Sequence, residues 1–239
     1  MKRLLLCISI IICSFSVSEY AQNTAEEYVK NGIAKYELND YSGALQDYNK
    51  AIEINSNYAE AYYNRGNTKH MLSDDNGAFQ DYNKAIEISP NYAEAYLVRG
   101  NTKLGLSDFH EAIQDYNKAI EINPNYTDAY NSRATAKCEL SDFHQAIQDY
   151  NKAIEFNPND AMTYFSLGLA KGNVSEFQGA IQAFNKAIEI NPNLAKVYYN
   201  RGAVKYKLGD KNGACLDWGK AGELGLANAY DLIKQYCTD

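Results

Sequence analysis

A chain of 239 residues with 46% hydrophobic and 22% charged side chains has the make-up of a folded, water-soluble protein, which excludes a disordered polar segment or a collagen-like repeat. The formal net charge is −7 and Lys and Arg are scattered among Asp and Glu, so no basic stripe exists to displace counterions from a phosphate backbone and nucleic acid is not an expected partner. Twenty-one tyrosines against four prolines point to helices that touch through amphipathic rings.

The chain opens with Met1, Lys2 and Arg3 before LLLCISIIICSFSV, fourteen residues without a charge. A membrane-spanning helix needs about 20 apolar residues; this run has the length of a signal-peptide core. Residues 1–21 are therefore expected to be a signal peptide, with exit near Ser16, Ser18 or Ala21, leaving a mature chain at −8. Cys13 invites lipidation, but Ile12 before it is bulky where such signals want a small residue. The expected location is exported, periplasmic or extracellular. Membrane association is expected only if the segment stays uncleaved.

From Ala25 the sequence repeats with a period of 34, in six copies at 25–58, 59–92, 93–126, 127–160, 161–194 and 195–226. Numbering each copy from 1, position 4 is always tyrosine, from Tyr28 to Tyr198. Position 8 is small (Gly32, Gly66, Gly100, Ala134, Gly168, Gly202), and positions 20 and 27 are always alanine. Position 24 is always aromatic: Tyr48, Tyr82, Tyr116, Tyr150, Phe184 and Trp218.

This spacing predicts two antiparallel helices per copy, over positions 2–14 and about 18–30. Small residues at 8 and 20 let the backbones approach. Large ones at 4, 14, 24 and usually 28 build an apolar stripe. Asp, Asn, Ser or Gly at positions 15–18 turns the chain, and Pro90, Pro124, Pro158 and Pro192 stop the second helix in copies two to five. One hairpin cannot bury its stripe alone; a stack can.

Four copies carry an arginine at position 7 with an aspartate at position 23: Arg65 with Asp81, Arg99 with Asp115, Arg133 with Asp149, Arg201 with Asp217. Copy five lacks both, having Leu167 and Ala183, and copy one keeps Asp47 opposite Asn31. This covariation within one chain predicts a partly buried ion pair inside each hairpin. After copy six, residues 227–239 read as a capping helix, with Ala229, Tyr230, Ile233 and Cys237 facing back onto the stack. Cys215 and Cys237 are placed either to bridge in an oxidising compartment or to sit as two buried thiols.

No catalytic constellation is present. His70, His110 and His144 are the only histidines, and the latter two share position 18 in adjacent copies, too far apart for one metal. The glutamate at position 29 recurs in every copy and reads as a solvated face. No phosphate loop, nucleophile elbow or zinc spacing occurs. The expectation is no enzyme, no catalytic residue, no metal, no cofactor and no small-molecule substrate.

The period, the small position 8, the alanine at 20, the aromatic at 24 and the proline at 32 resemble the tetratricopeptide repeat family over residues 25–226. Three features depart from the family pattern: tyrosine at position 4, arginine at most positions 7, and lysine at every position 11, from Lys35 to Lys205. The resemblance implies an all-α fold, a right-handed α-solenoid of six helix-turn-helix hairpins plus the C-terminal capping helix. It also implies a concave wall lined by the first helices through positions 2, 5, 6, 9, 12 and 13. Those positions hold Tyr63, Asn64, Asn67, His70, Leu97, Asn101, Asn131, Thr135, Phe165, Leu169, Lys196, Tyr199, Asn200 and Tyr206. Tyr, Asn and small apolar residues suit an extended peptide of another protein. Glu26, Glu60, Glu94 and Asp128 at position 2 either favour a basic ligand or complement the helix dipole. The clamp that some members use for a partner's terminal carboxylate is matched only at Lys196 across copies four to six, and by a single asparagine in each other window, so it is not expected here. The function implied is a non-enzymatic interaction module that binds a partner's peptide segment in its groove. The alternative is a structural or tethered scaffold in an envelope assembly, using its convex face.

Overall fold

A computed structural model describes residue 22 and residues 24–237 of the chain. The expected signal peptide, with Cys13, lies outside the described residues. Thirteen helices and no strand occur among the described residues. They are α1 (24–37), α2 (Tyr41–Ile54), α3 (Ala59–Met71), α4 (Asp75–Ile88), α5 (Ala93–Gly105), α6 (Phe109–Ile122) and α7 (Thr127–Glu139). The chain continues through α8 (Phe143–Phe156), α9 (Ala161–Asn173), α10 (Phe177–Ile190), α11 (Ala195–Lys207), α12 (Lys211–Glu223) and α13 (Ala229–Tyr236). These are two helices per copy, within two residues of the predicted bounds, followed by the cap. The helices form two compact units that meet in sequence at Thr102 and Lys103, inside α5.

Each hairpin turn has one geometry. Position 15 takes a left-handed backbone in every copy: Asn39, Ser73, Ser107, Ser141 and Ser175 at φ of 60 to 65°, and Gly209 at 85°. The next N–H folds back to the carbonyl of position 11, as in Asp74 N to Lys69 O at 2.9 Å, which closes the first helix with a Schellman motif. Where position 19 is Gly43, Gly77 or Gly213, the preceding aspartate caps the second helix by accepting from that glycine's N–H at 2.8 to 2.9 Å. The second helices of copies one to five stop at position 30, and α12 in copy six stops one residue earlier at Glu223. α2 ends at Ile54 although copy one has Ser56 where others have proline. A second stop, which serves copy one as well, is the asparagine at position 31: Asn55, Asn123, Asn157 and Asn191 accept from the N–H two residues on at 3.0 to 3.4 Å.

The alanines at positions 20 and 27 have no exposed surface in any copy, and the position 24 rings are at most 4% exposed. The small residue at position 8 exists for that ring. A Cβ on Gly66 would lie 2.6 Å from Tyr82 Cε1, and one on Gly202 would lie 2.8 Å from Trp218 Nε1. In the first unit Ala25, Val29, Ala44, Tyr48, Ala51 and Ala61 form a buried cluster flanked by Tyr36 and Ile52. In the second unit, clusters repeat around Tyr150, Phe184 and Trp218. Position 14 departs from the prediction. Leu38, Leu72, Leu106, Leu140 and Leu208 are 36 to 79% exposed, because the residue that ends the first helix sits at the hairpin tip and not on the stripe.

The predicted ion pairs are bidentate. Arg65 donates to Asp81 through Nε at 2.9 Å and Nη2 at 2.6 Å, and Arg133 with Asp149 and Arg201 with Asp217 repeat the geometry. Arg99 and Asp115 fall on either side of the unit boundary. The lysine at position 11 joins each network: Lys69, Lys137 and Lys205 lie 2.8 Å from the same aspartates. The remaining arginine nitrogen reaches the preceding copy, as Arg65 Nη1 donates to Asn49 at 2.7 Å and Arg133 Nη1 to Asn117 at 2.6 Å. Each guanidinium also lies 5.3 to 5.4 Å over the position 4 tyrosine of its own copy, Tyr62, Tyr96, Tyr130 or Tyr198. The tyrosine at 4, arginine at 7 and lysine at 11 that set this chain apart are thus parts of one clasp. Copy five replaces it with buried Leu167 and Ala183, and Lys171 turns to Glu176 at 3.9 Å.

At the C-terminus α13 packs on α12, with Ala229 fully buried. Cys215 and Cys237 form a disulfide across a Cα separation of 5.9 Å. Tyr230 covers Gly222 but stays 53% exposed, so it is less of an inward residue than predicted. Tyr236 takes that part, its ring 4.8 Å from Tyr206 and 6.0 Å from Trp218.

Candidate functional site

In the first unit, α3 presents Tyr63, Asn64 and Asn67 half-buried and His70 exposed. Tyr63 packs between Tyr92 and Tyr82, with ring centroids 5.0 and 6.4 Å away. Asn67 accepts from the Tyr82 hydroxyl at 2.9 Å, and His70 Nδ1 lies 2.6 Å from Asp75 Oδ1. A cavity of about 170 Å³ opens between Tyr36, Asn67, His70, Met71, Tyr82 and Val98. On α5 Asn101 is exposed and Leu97 is only 7% exposed.

In the second unit, Asn131 on α7 accepts from Thr163 at 3.1 Å, and Thr135 meets the Tyr150 hydroxyl at 3.3 Å. Leu169 is exposed, but Phe165 is 9% exposed and stacks on Phe184 at 6.0 Å. On α11, Asn200 donates to Lys196 O at 2.8 Å, Tyr199 is half-buried, and Lys196 is exposed with no charge partner among the described residues. Tyr206 is 39% exposed and stacks on Trp218 at 5.8 Å, which ties it to the cap. A second, mostly apolar cavity of about 330 Å³ lies between Met162, Phe165, Leu194, Val197 and Leu226, with Lys196 as its one charged lining residue.

Two of the predicted lining residues are therefore corrected. Leu97 and Phe165 share position 5 with Tyr63, Asn131 and Tyr199, but an apolar side chain there is drawn into the core, whereas the polar ones keep a wet tip. Conversely, sequence reasoning treated position 24 as core alone. Its hydroxyls reach the first helices: Tyr82 to Asn67 and Tyr150 to Thr135. A buried ring with a tyrosine hydroxyl, where phenylalanine would fill the same space, was the available signal.

Burial holds these phenols protonated. It pushes Tyr48, Tyr82 and Tyr116 well above the ordinary value of 10.0, and Tyr150 up to about 12. A folded-state value raised above the unfolded one contributes stability that is complete below pH 10 and is lost as pH rises through about 12. Each such phenol removes about 1.4 kcal/mol per pH unit in that window. Alkaline titration followed by tyrosinate absorbance and circular dichroism is expected to show a late, cooperative tyrosinate step that coincides with helix loss. Complete ionisation near pH 10 with the helices intact would contradict the buried phenols.

Models described as TPR repeat match residues 32–73, 134–173 and 175–209, and models described as tetratricopeptide repeat match 59–92, 93–126 and 115–148. No match is found among curated proteins. Among solved structures, YrrB, described as a TPR protein with an unusual peptide-binding site, is 25% identical, covering 78% of this chain and 97% of its own at a TM-score of 0.69. MamA is 27% identical, covering 69% of this chain and 96% of its own at a TM-score of 0.65. PilF of Pseudomonas aeruginosa shares the fold at 15% identity, covering 92% of this chain and 95% of its own at a TM-score of 0.74.

Proposed function

The chain belongs to the tetratricopeptide repeat family, a fold of protein-interaction scaffolds that is in general non-catalytic, and from that premise we propose that it binds an extended segment of a partner protein along its first helices. The observation that carries the reading is the polar and aromatic lining of α3, α7 and α11. Asn67, Asn131 and Asn200 each spend one end of the amide on the protein, at 2.9, 3.1 and 2.8 Å, and the other end has no partner among the described residues. Such half-used amides match a peptide backbone, which offers donors and acceptors alternately. The peptide-binding description of YrrB supports the same reading by similarity.

We also read the protein as exported, to the periplasm or outside the cell. The apolar run at residues 4–17 supports this, and so does the bridge between Cys215 and Cys237, since disulfides persist in oxidising compartments. No helix among the described residues is long and apolar enough to cross a membrane.

A photocrosslinking amino acid at Asn101, Thr135 or Leu169, and separately at Glu53 or Glu121, tests the proposal in the native host. The first set is expected to capture a protein partner that the second set does not. A partner captured only through Glu53 or Glu121 would transfer the function to the opposite face and overturn the assignment.

A further inference from the structure

Two rows of glutamates in the first unit keep different company. The glutamates at position 29 are matched by the lysine three residues before them, Glu53 by Lys50 at 2.6 Å and Glu87 by Lys84 at 2.8 Å. The glutamates at position 2, Glu26, Glu60 and Glu94, have no lysine or arginine partner among the described residues. Residues 22–102 hold twelve acids against seven bases, so this unmatched charge is not balanced elsewhere in the segment. Beside the unmatched acids lie three half-buried tyrosines. Tyr58 donates to Glu60 at 3.2 Å, and Tyr92 stacks on Tyr63 at 5.0 Å. Burial first raises the phenols of Tyr58 and Tyr92, followed by Glu60 at Tyr58 and by Tyr63, Glu60 and Glu94 at Tyr92, so both rings stay neutral and their faces electron-rich.

Aromatic faces beside unpaired carboxylates form a receptor for an organic cation. The ring quadrupole attracts the charge and the carboxylates supply directional acceptors. We propose that Tyr58, Tyr63 and Tyr92, with Glu60 and Glu94, seat an arginine or lysine side chain of the partner segment. The proposal rests on the peptide-binding reading above and names the chemistry of the bound residue. It also sets a register. From Tyr63 to Asn67 is about 6 Å along α3, close to the roughly 7 Å between alternate side chains of an extended chain. A segment with its basic residue on Tyr63 therefore directs the residue two positions away toward the cavity of about 170 Å³ beside Asn67 and Tyr82, which suits a small side chain.

The test uses the full chain with ring-labelled tyrosine, observed by NMR at 150 mM salt. The probes are the blocked peptide Ser-Gly-Arg-Gly-Ala-Gly-Ser and the same peptide with glutamine in place of arginine. The arginine peptide is expected to bind at least about tenfold more tightly and to shift Tyr58, Tyr63 and Tyr92. Glu60→Gln with Glu94→Gln abolishes that preference. Glu53→Gln with Glu87→Gln removes the same charge from the lysine-matched face and changes the affinity less than about twofold. Equal loss in both double variants would reduce the effect to the diffuse field of an acidic protein and overturn the proposal, as would no detectable binding of the arginine peptide. If both peptides bind with equal affinity, peptide binding stands and the basic residue falls.

Discussion

Asp149→Ala is expected to destabilise the protein more than the double variant Arg133→Leu, Asp149→Ala. The single change strands two cations: Arg133 Nη2 and Lys137 Nζ lie 2.6 and 2.8 Å from the Asp149 carboxylate, which is itself 6% exposed. Removing one member of a buried pair typically loses about 3–5 kcal/mol, because the survivor keeps its desolvation penalty without its partner. The double change recreates what copy five already does with Leu167 and Ala183, both buried. There the lysine at position 11, Lys171, leaves toward Glu176 at position 16, and Asp142 offers Lys137 the same exit. Asn117, which loses its donor Arg133, is exposed and passes to water. The double variant should therefore lie within about 1 kcal/mol of the parent. Because repeat arrays lose structure locally, amide exchange of α7 and α8 should be read beside the denaturant midpoint. Equal protection and equal midpoints for the two variants would show that the clasp carries no net charge coupling.

This network also shows where the sequence was informative. The period identifies which residues are equivalent, and composition at each equivalent position identifies the core. Alanine at 20 and 27 and an aromatic at 24 can hardly be anything else, and all are buried. The arginine and aspartate were legible because copy five drops both at once. The lysine at position 11 was not, because it never varies within the chain and so offers no contrast, although Lys69 and Lys137 complete the same clasp. Direction is the other blind spot. A leucine at position 14 reads as stripe until the Schellman turn places it at a hairpin tip, as with Leu38 at 79% exposure. The lining residues suffered similarly: one register position holds half-buried Tyr63 and Tyr199 but buried Leu97 and Phe165, because polarity at the tip decides which way the side chain settles.

Breaking the bridge between Cys215 and Cys237 is expected to release the cap while the hairpins before it stay folded. α13 is eight residues long, shorter than a helix that persists alone in water. It is held by Ala229, by Tyr236 against Tyr206 and Trp218, and by the disulfide, which closes a separation of 22 residues. Closing a loop of that size in the unfolded segment stabilises the cap by about 3 kcal/mol. The bridge borders an open cavity of about 430 Å³ lined by Lys211, Asn212 and Leu216, and Leu216 is 76% exposed, so a soluble reductant has access. Trp218 is the only tryptophan and is 2% exposed beneath Tyr236, which makes it an internal reporter. Cys237→Ser, or a phosphine reductant on the parent, should shift its emission to longer wavelength and speed amide exchange in α13. Tyr150 and Phe184 lie in separate clusters, so their hairpins should keep their protection. Unchanged Trp218 emission after complete reduction would show that aromatic packing alone seats the cap. Loss of protection in α7 to α10 would show that the cap stabilises the second unit as a whole, and that its hairpins are not independent beyond their nearest neighbours.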